Sequence, residues 1–236
     1  MHILRGHWDN DEATSADMKP YYQDDFVTLY NADCTEQLAW LSADVLVTDP
    51  PYGIAWRSGS MHIAGKHMRI ADSVKGDDST MIRDAMIELW SDKGSAIIFG
   101  SWRQDRPKNV SHRLIWYKKN AFPGFRTSAF YPAEEEIYLI GGGWTGKPVQ
   151  NVITTNEMRG GAAGLVATSG HPTPKPISLM ETLIVKCPEG VIADPFAGSG
   201  STLVAARNQG RKVIGVEIDA DYCRIAANRL SQMVLE

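Results

Sequence analysis

The stretch "VLVTDPPYG", residues 45–53, runs four apolar or β-branched residues into a carboxylate, two prolines, an aromatic ring and a glycine. A strand that ends this way presents Asp49 at its carboxyl end and then stiffens the backbone that carries it. A proline carbonyl at a turn lies outside the sheet's ladder bonds, so Asp49 and the Pro50 carbonyl form two hydrogen-bond acceptors side by side. Pro51 holds the pair rigid, Tyr52 adds an aromatic face, and Gly53 permits a sharp exit. Such a constellation suits a substrate that brings N–H donors. The plain alternative is a strand-end Asp that caps a turn.

A second group lies in "DPFAGSGSTLVAARNQGRKVIGVEID", residues 194–219. A buried run ends at Asp194. A turn through Phe196, Gly198, Ser199 and Gly200 then opens a helical pattern at Ser201 and Thr202, and a second strand ends at Glu217 and Ile218. Glycines let a ligand approach the backbone, and a helix N-terminus offers unpaired N–H groups and the positive end of a dipole. An acid about 20 residues further on accepts hydrogen bonds from ribose hydroxyls. These features predict a nucleoside-binding βαβ unit. Leu203 stands where the third glycine of a dinucleotide fingerprint would be, which disfavours NAD and leaves room for another nucleoside cofactor.

The elements that must position these groups alternate. "FVTLYNA" (26–32), "DVLVTD" (44–49), "SAIIFG" (95–100), "HRLIWYKK" (112–119), "EEIYLI" (135–140), "GVIADP" (190–195) and "RKVIGVEID" (211–219) read as strands. Helical patterns cover 79–92, through Met81, Ala85, Ile87 and Leu89 with Ser79 or Thr80 as cap, then 176–187, 201–210 and 220–235. The order predicts an α/β fold: one mostly parallel, twisted sheet with helices on both faces. Residues 53–77 are too long for an ordinary connection and read as a functional or mobile loop. Eight of the thirty residues in 141–170 are glycine, which predicts a loop with little packed structure of its own.

"TDPPYG", "HPTPKP" (171–176), "DPFAGSGST" and "GVEID" together resemble the motifs of the amino-group DNA methyltransferases, which act on adenine N6 or cytosine N4. The order, with Asp-Pro-Pro-Tyr before the glycine loop, is similar to the circularly permuted β class. "YNADCTEQLAWL" (30–41) also resembles the stretch that precedes Asp-Pro-Pro-Tyr there. The resemblance covers about residues 26–235. It implies a Rossmann-like S-adenosylmethionine-dependent methyltransferase fold, with S-adenosylmethionine as cofactor and no metal. Phe196, Gly198, Ser199 and Gly200 would line its methionine and ribose, with Asp194, Ser201 and Thr202 beside them. Glu217 would hold the ribose, Ile218 would lie against adenine, and Asp33 and Cys34 would read the adenine edge. His171, Thr173 and Lys175 would sit near the methionine end, Lys175 facing its carboxylate. Asp49, Pro50, Pro51 and Tyr52 would form the catalytic group.

The implied reaction is methyl transfer to the exocyclic amine of adenine in DNA. That nitrogen is a poor nucleophile, so it must be fixed in line with the methyl and stabilised as positive charge grows on it. Relatives acting on cytosine more often carry Ser where Asp49 stands. Cytosine, RNA, a protein glutamine, or a catalytically silent DNA-binding role remain as alternatives. A base inside a duplex must be flipped out, with the phosphates held by positive charge.

Composition bounds these readings. The 236 residues suffice for one large α/β domain, expected to span the whole chain with an acidic extension over 1–25. Cys34, Cys187 and Cys223 are scattered, which argues against a disulfide framework or zinc site and fits a reducing cytoplasm. No apolar run suits a membrane span. Net charge is −4, yet residues 103–126 hold seven Lys or Arg against one acid, and 57–75 hold four against one. DNA contact is expected on that basic face, with Lys118, Lys119 and Arg126 on phosphates. Trp102, Trp116 and Tyr117 interleave there. The resemblance admits a homodimer and a cognate restriction nuclease as further partners. With only 141–170 available for target recognition, it implies a short or relaxed sequence context.

Overall fold

The computed structural model describes residues 18–53, 79–119, 129–155 and 174–232, together with the backbone of 61–63 and 66–68. Eleven strands are described. The first six are β1 (Tyr22–Gln23), β2 (Val27–Asn31), β3 (Val45–Thr48), β4 (Met61–Ile63), β5 (Lys66–Met68) and β6 (Ala96–Gly100). The others are β7 (Val110–Lys118), β8 (Glu134–Ile140), β9 (Val152–Thr155), β10 (Ile192–Asp194) and β11 (Val213–Glu217). The helices are α1 (Met81–Trp90), α2 (Ile177–Ile184), α3 (Ser201–Asn208) and α4 (Ala220–Gln232), with a 3-10 turn at Ala39–Ser42.

Nine strands form one sheet in the order β1-β2-β11-β10-β3-β6-β8-β7-β9. Its centre, β2-β11-β10-β3-β6, is parallel throughout. β3, β6 and β10 are buried along their whole length and apolar except for Thr48 and Asp194 at their ends, as strands buried on both faces must be. Val45 and Val47 join Ile97 and Phe99 beneath α2, α3 and α4 on one face. Leu46, Ala96 and Ile98 face the other way, against Trp40, Met86 and Trp90. Trp40 and Trp90 stack there with ring centroids 5.9 Å apart.

The expected elements occur, with four differences. β8 runs antiparallel to both β6 and β7, so the sheet is mixed at this end. The glycine-rich segment is not all loop: β9 lies within it and pairs with β7 in parallel. A four-residue "VITT" run among glycines was too short to stand out. Helix α1 buries Arg83, Met86 and Trp90, while Met81 is 76% exposed and Leu89 40%. The buried stripe follows the i, i+3, i+7 spacing of those three residues, so the buried guanidinium obscured the pattern. Within 53–77, β4 and β5 form an antiparallel hairpin.

Candidate active site

Strand β10 leads through α3 to β11 on one side, and β3 leads through α1 to β6 on the other. The sheet therefore has a topological switch between β10 and β3, where the carboxyl ends of parallel strands open a crevice. Asp194 and Asp49 stand at those two ends. The ends of β11 and β2 lie alongside, with Glu217 in register with Asn31. The turn after β2 thus brings Asp33 and Cys34 to the same edge as Glu217. One edge of the sheet collects most of the residues singled out in the sequence.

The glycine loop is built for close approach. Gly198 and Gly200 have φ of 52° and 83°, values that L side chains rarely adopt. A Cβ on Gly200 would lie 2.9 Å from the Ala226 Cβ, so glycine also lets α3 start against α4. Glu217 accepts the Gly198 N–H on Oε2 at 2.7 Å and the Asp219 N–H on Oε1 at 2.8 Å. Burial pushes its carboxyl up, and these two bonds oppose the shift. Each carboxylate oxygen keeps a further lone pair for a ribose hydroxyl. Arg229 of α4 donates to the Ser199 carbonyl at 2.5 Å and pins the loop from behind. Sequence reading missed Arg229, which looked like one of several surface charges on an amphipathic helix.

Asp194 is fully enclosed. Its Oδ1 accepts from the Thr48 hydroxyl at 2.7 Å and the Phe196 N–H at 3.1 Å, and the Thr202 hydroxyl also bonds its carboxylate. Desolvation raises its pKa to about 6 in spite of these bonds. Ser201 Oγ, at the first turn of α3, is buried with no hydrogen-bond partner among the described residues. Phe196 is half-buried, and Ile218 is 51% exposed at the strand edge. Asp33 accepts from the Thr35 N–H and hydroxyl, which shapes the turn after β2. Cys34 is buried with its pKa raised to about 12, first by desolvation, so it stands there as a neutral thiol. An orphan hydroxyl, a helix start without a side-chain cap and a ribose-ready carboxylate fit a nucleoside cofactor.

Asp49 is engaged on both oxygens. Tyr52 donates its hydroxyl to Oδ1 at 2.7 Å, and the Lys175 ammonium pairs with Oδ2. Lys175 comes just before α2, and its Nζ lies 5.5 Å from the centroid of the Tyr52 ring and 4.9 Å from that of Phe99. In this structure its partners are thus Asp49 and, at 3.3 Å, Glu135. Gly53 leaves the turn with φ 72°, where a Cβ would meet the Ser79 backbone at 2.7 Å, and its carbonyl accepts from Gln104 at 2.7 Å. Glu135 and Gln104 carried no motif and were missed. His171 and Thr173 lie outside the described residues, as does Arg126.

The basic face needs one correction. Lys118 is not a surface contact: it is buried, paired with Glu135, and sits 4.7 Å over the Trp116 ring. Trp116 is core. Arg103, Lys108 and Lys119 are exposed, and Arg103 stacks on the exposed Trp102. Arg113 and Arg106 reach Glu136 at 2.7 and 3.6 Å. The side chains of 57–75 lie outside the described residues. No helix among the described residues is long and apolar enough to cross a membrane.

A family model described as DNA methylase, of the N6/N4 methyltransferase type, matches residues 43–228. The Type II methyltransferase M.HinfI of Haemophilus influenzae is 26% identical over 268 residues, covering 92% of this chain and 71% of that protein. A crystal structure of an M1.HpyAVI–SAM complex superposes with a TM-score of 0.63 at 22% identity, covering 86% of this chain and 98% of its own. The cytosine-N4-specific PvuII DNA methyltransferase gives a TM-score of 0.64 at 16% identity, covering 90% and 89%.

Proposed function

This chain belongs to the DNA methylase family of amino-group methyltransferases, and we propose that within that family it methylates N6 of adenine. The family places it among enzymes that transfer a methyl group to an exocyclic amine of a DNA base, on the Rossmann-like α/β fold of S-adenosylmethionine-dependent methyltransferases. S-adenosylmethionine is the cofactor, and when bound it supplies a methyl group already activated on a sulfonium. The remaining work falls to the chain's own residues.

Glu217 would take the ribose hydroxyls, the N-terminus of α3 with Ser201 would face the polar end of the cofactor, and Ile218 would cover one face of its adenine. Asp33 and Cys34 border the same edge. The Asp49 carboxylate and the Pro50 carbonyl accept the two N–H bonds of the target amine, orient its lone pair and stabilise the positive charge that develops on nitrogen. Tyr52 offers its ring to the flipped base, and before substrate arrives its hydroxyl bonds Asp49. Methyl transfer would break the methyl–sulfur bond and leave a neutral thioether, and the methylated nitrogen would give up its proton to water.

The observation that carries the adenine reading is Asp49 itself. It is an acceptor-only group, anchored from two directions, where a Ser would both donate and accept. A purine also offers the Tyr52 ring a larger stacking face, which offsets part of the few kcal/mol of unstacking. DNA incubated with the enzyme and labelled cofactor, then digested to nucleosides, should carry its label in N6-methyladenine. Label in N4-methylcytosine would overturn the base assignment and leave the family intact.

A further inference from the structure

Glu135 reaches the reaction centre from β8, with β6 between it and β3. The three acids that open β8 alternate across the sheet. Glu136 turns to Arg113 and Tyr138 on one face, and Glu135 turns to Asp49's neighbours on the other. There it shares both of Asp49's partners. The Tyr52 hydroxyl is 2.7 Å from Asp49 Oδ1 and 3.1 Å from Glu135 Oε2. The Lys175 ammonium pairs with Asp49 Oδ2 and lies 3.3 Å from the same Glu135 Oε2. Glu135 Oε1 meanwhile holds Lys118.

This sharing solves a problem set by the Asp49 reading. The carboxylate that must receive the amine is already neutralised by a lysine and occupied by a hydroxyl. Lys175 is 5% exposed and Glu135 12%, whereas Asp49 is 24% exposed and open to an incoming group. An ammonium this deep cannot leave Asp49 for water, and stranding it unpaired would be costly. A hydroxyl has one proton and donates to one acceptor at a time.

We propose that Glu135 is a positioning residue for methyl transfer: it takes over the Lys175 ammonium and the Tyr52 hydroxyl bond as the target amine engages Asp49. Asp49 then turns its lone pairs and full charge to the substrate, and no buried cation is left unpaired. The inference rests on the reading of Asp49 as the amine acceptor.

Glu135→Gln keeps the side-chain shape and one acceptor oxygen, but it removes the charge and aims an NH₂ group at donors. In single-turnover assays at saturating cofactor and DNA, E135Q should lower the methylation rate by about tenfold or more. KM for DNA and cofactor affinity by calorimetry should stay near wild type, while the thermal midpoint falls because buried Lys118 also loses its counter-charge. In a Lys175→Met background the same change should cost less than about threefold, because no ammonium remains to be rehoused. A wild-type rate for E135Q, full additivity with K175M, or a loss confined to KM or thermal stability would overturn the proposal. If E135Q does not fold, E135D, with its charge kept and its reach shortened, carries the test: an intermediate rate at unchanged KM supports the proposal, and a wild-type rate overturns it. D49A, which removes the acceptor altogether, separates the two readings. An active D49A refutes the acceptor role of Asp49, whereas an inactive D49A beside a fully active E135Q refutes only the role of Glu135.

Discussion

The Thr48 hydroxyl donates to the Asp194 carboxylate across 2.7 Å, joining the two strand ends that carry the site. One residue after Thr48 comes Asp49, the proposed acceptor for the target amine. From Asp194 the chain enters the glycine loop. The bond fixes the proposed transfer residues relative to the proposed cofactor residues within one sheet, where a misplacement of about 1 Å can cost 100-fold in rate. Asp194 also takes the Phe196 N–H and the Thr202 hydroxyl, so one buried carboxylate ties β3, β10 and the start of α3 together.

That pin has a pH signature. Desolvation raises the Asp194 pKa from 3.8 to about 6, and the nearby Asp49 adds to the shift. Between those values the folded chain holds a proton that the unfolded chain has lost. Stability therefore falls as pH rises through the window, and the loss is complete above it. Glu217, also raised by burial, contributes with the same sign. Asp194→Asn carries no charge and can still accept from Thr48. Its denaturation midpoint should vary less between pH 4 and pH 7 than that of wild type. Identical slopes would mean that Asp194 is not the titrating group.

Asp49→Ala should abolish methyl transfer and leave cofactor affinity within a few-fold of wild type. Lys175 keeps Glu135 as a partner, so the variant should fold. Loss of one preorganised acceptor costs roughly 3 kcal/mol in the transition state, about 100-fold in rate. Calorimetry showing that the variant no longer binds S-adenosylmethionine would place Asp49 in the wrong half of the site.

Glu217→Ala should act the other way round, weakening cofactor binding first. Two losses combine: the acceptor for ribose, and the bonds that hold Gly198 and Asp219 in place. Glu217→Gln keeps one acceptor oxygen for the loop and should bind the cofactor with intermediate affinity. Equal affinity for wild type and both variants would remove Glu217 from the cofactor site.

What the sequence revealed followed from signals that are local in the chain. Strands buried on both faces read as apolar runs, and Asp49, Asp194 and Glu217 each close such a run. Glycine at 198 and 200 marks a turn before a helix because few other residues adopt that backbone. The missed residues act across the sheet. Glu135 sits in a run of three acids, where alternation sends neighbours to opposite faces, and a charge run reads as solvated surface. Lys118 sits in a basic run for the same reason, and only the pairing of β7 with β8 carries it inward to Glu135. Arg229 and Gln104 reach their carbonyls through tertiary packing that no spacing encodes.

The relocation of Lys118 changes the expectation for DNA. Each phosphate neutralised by Lys or Arg releases counterions, and the slope of log affinity against log salt counts such contacts at about 0.9 per contact on duplex DNA. Arg103, Lys108 and Lys119 are exposed, and Arg103 lies 5.5 Å over the ring of exposed Trp102, so cation and aromatic are presented together. Replacing these three with Ser should flatten the slope by about two to three units and weaken binding to every sequence alike. Lys118→Met should leave the slope at its wild-type value, because its ammonium faces Glu135 and the Trp116 ring. Its effect should fall on the methylation rate, through the carboxylate that Lys118 helps to hold. A slope that drops for Lys118→Met and stays constant for the triple variant would reverse the assignment of the two surfaces.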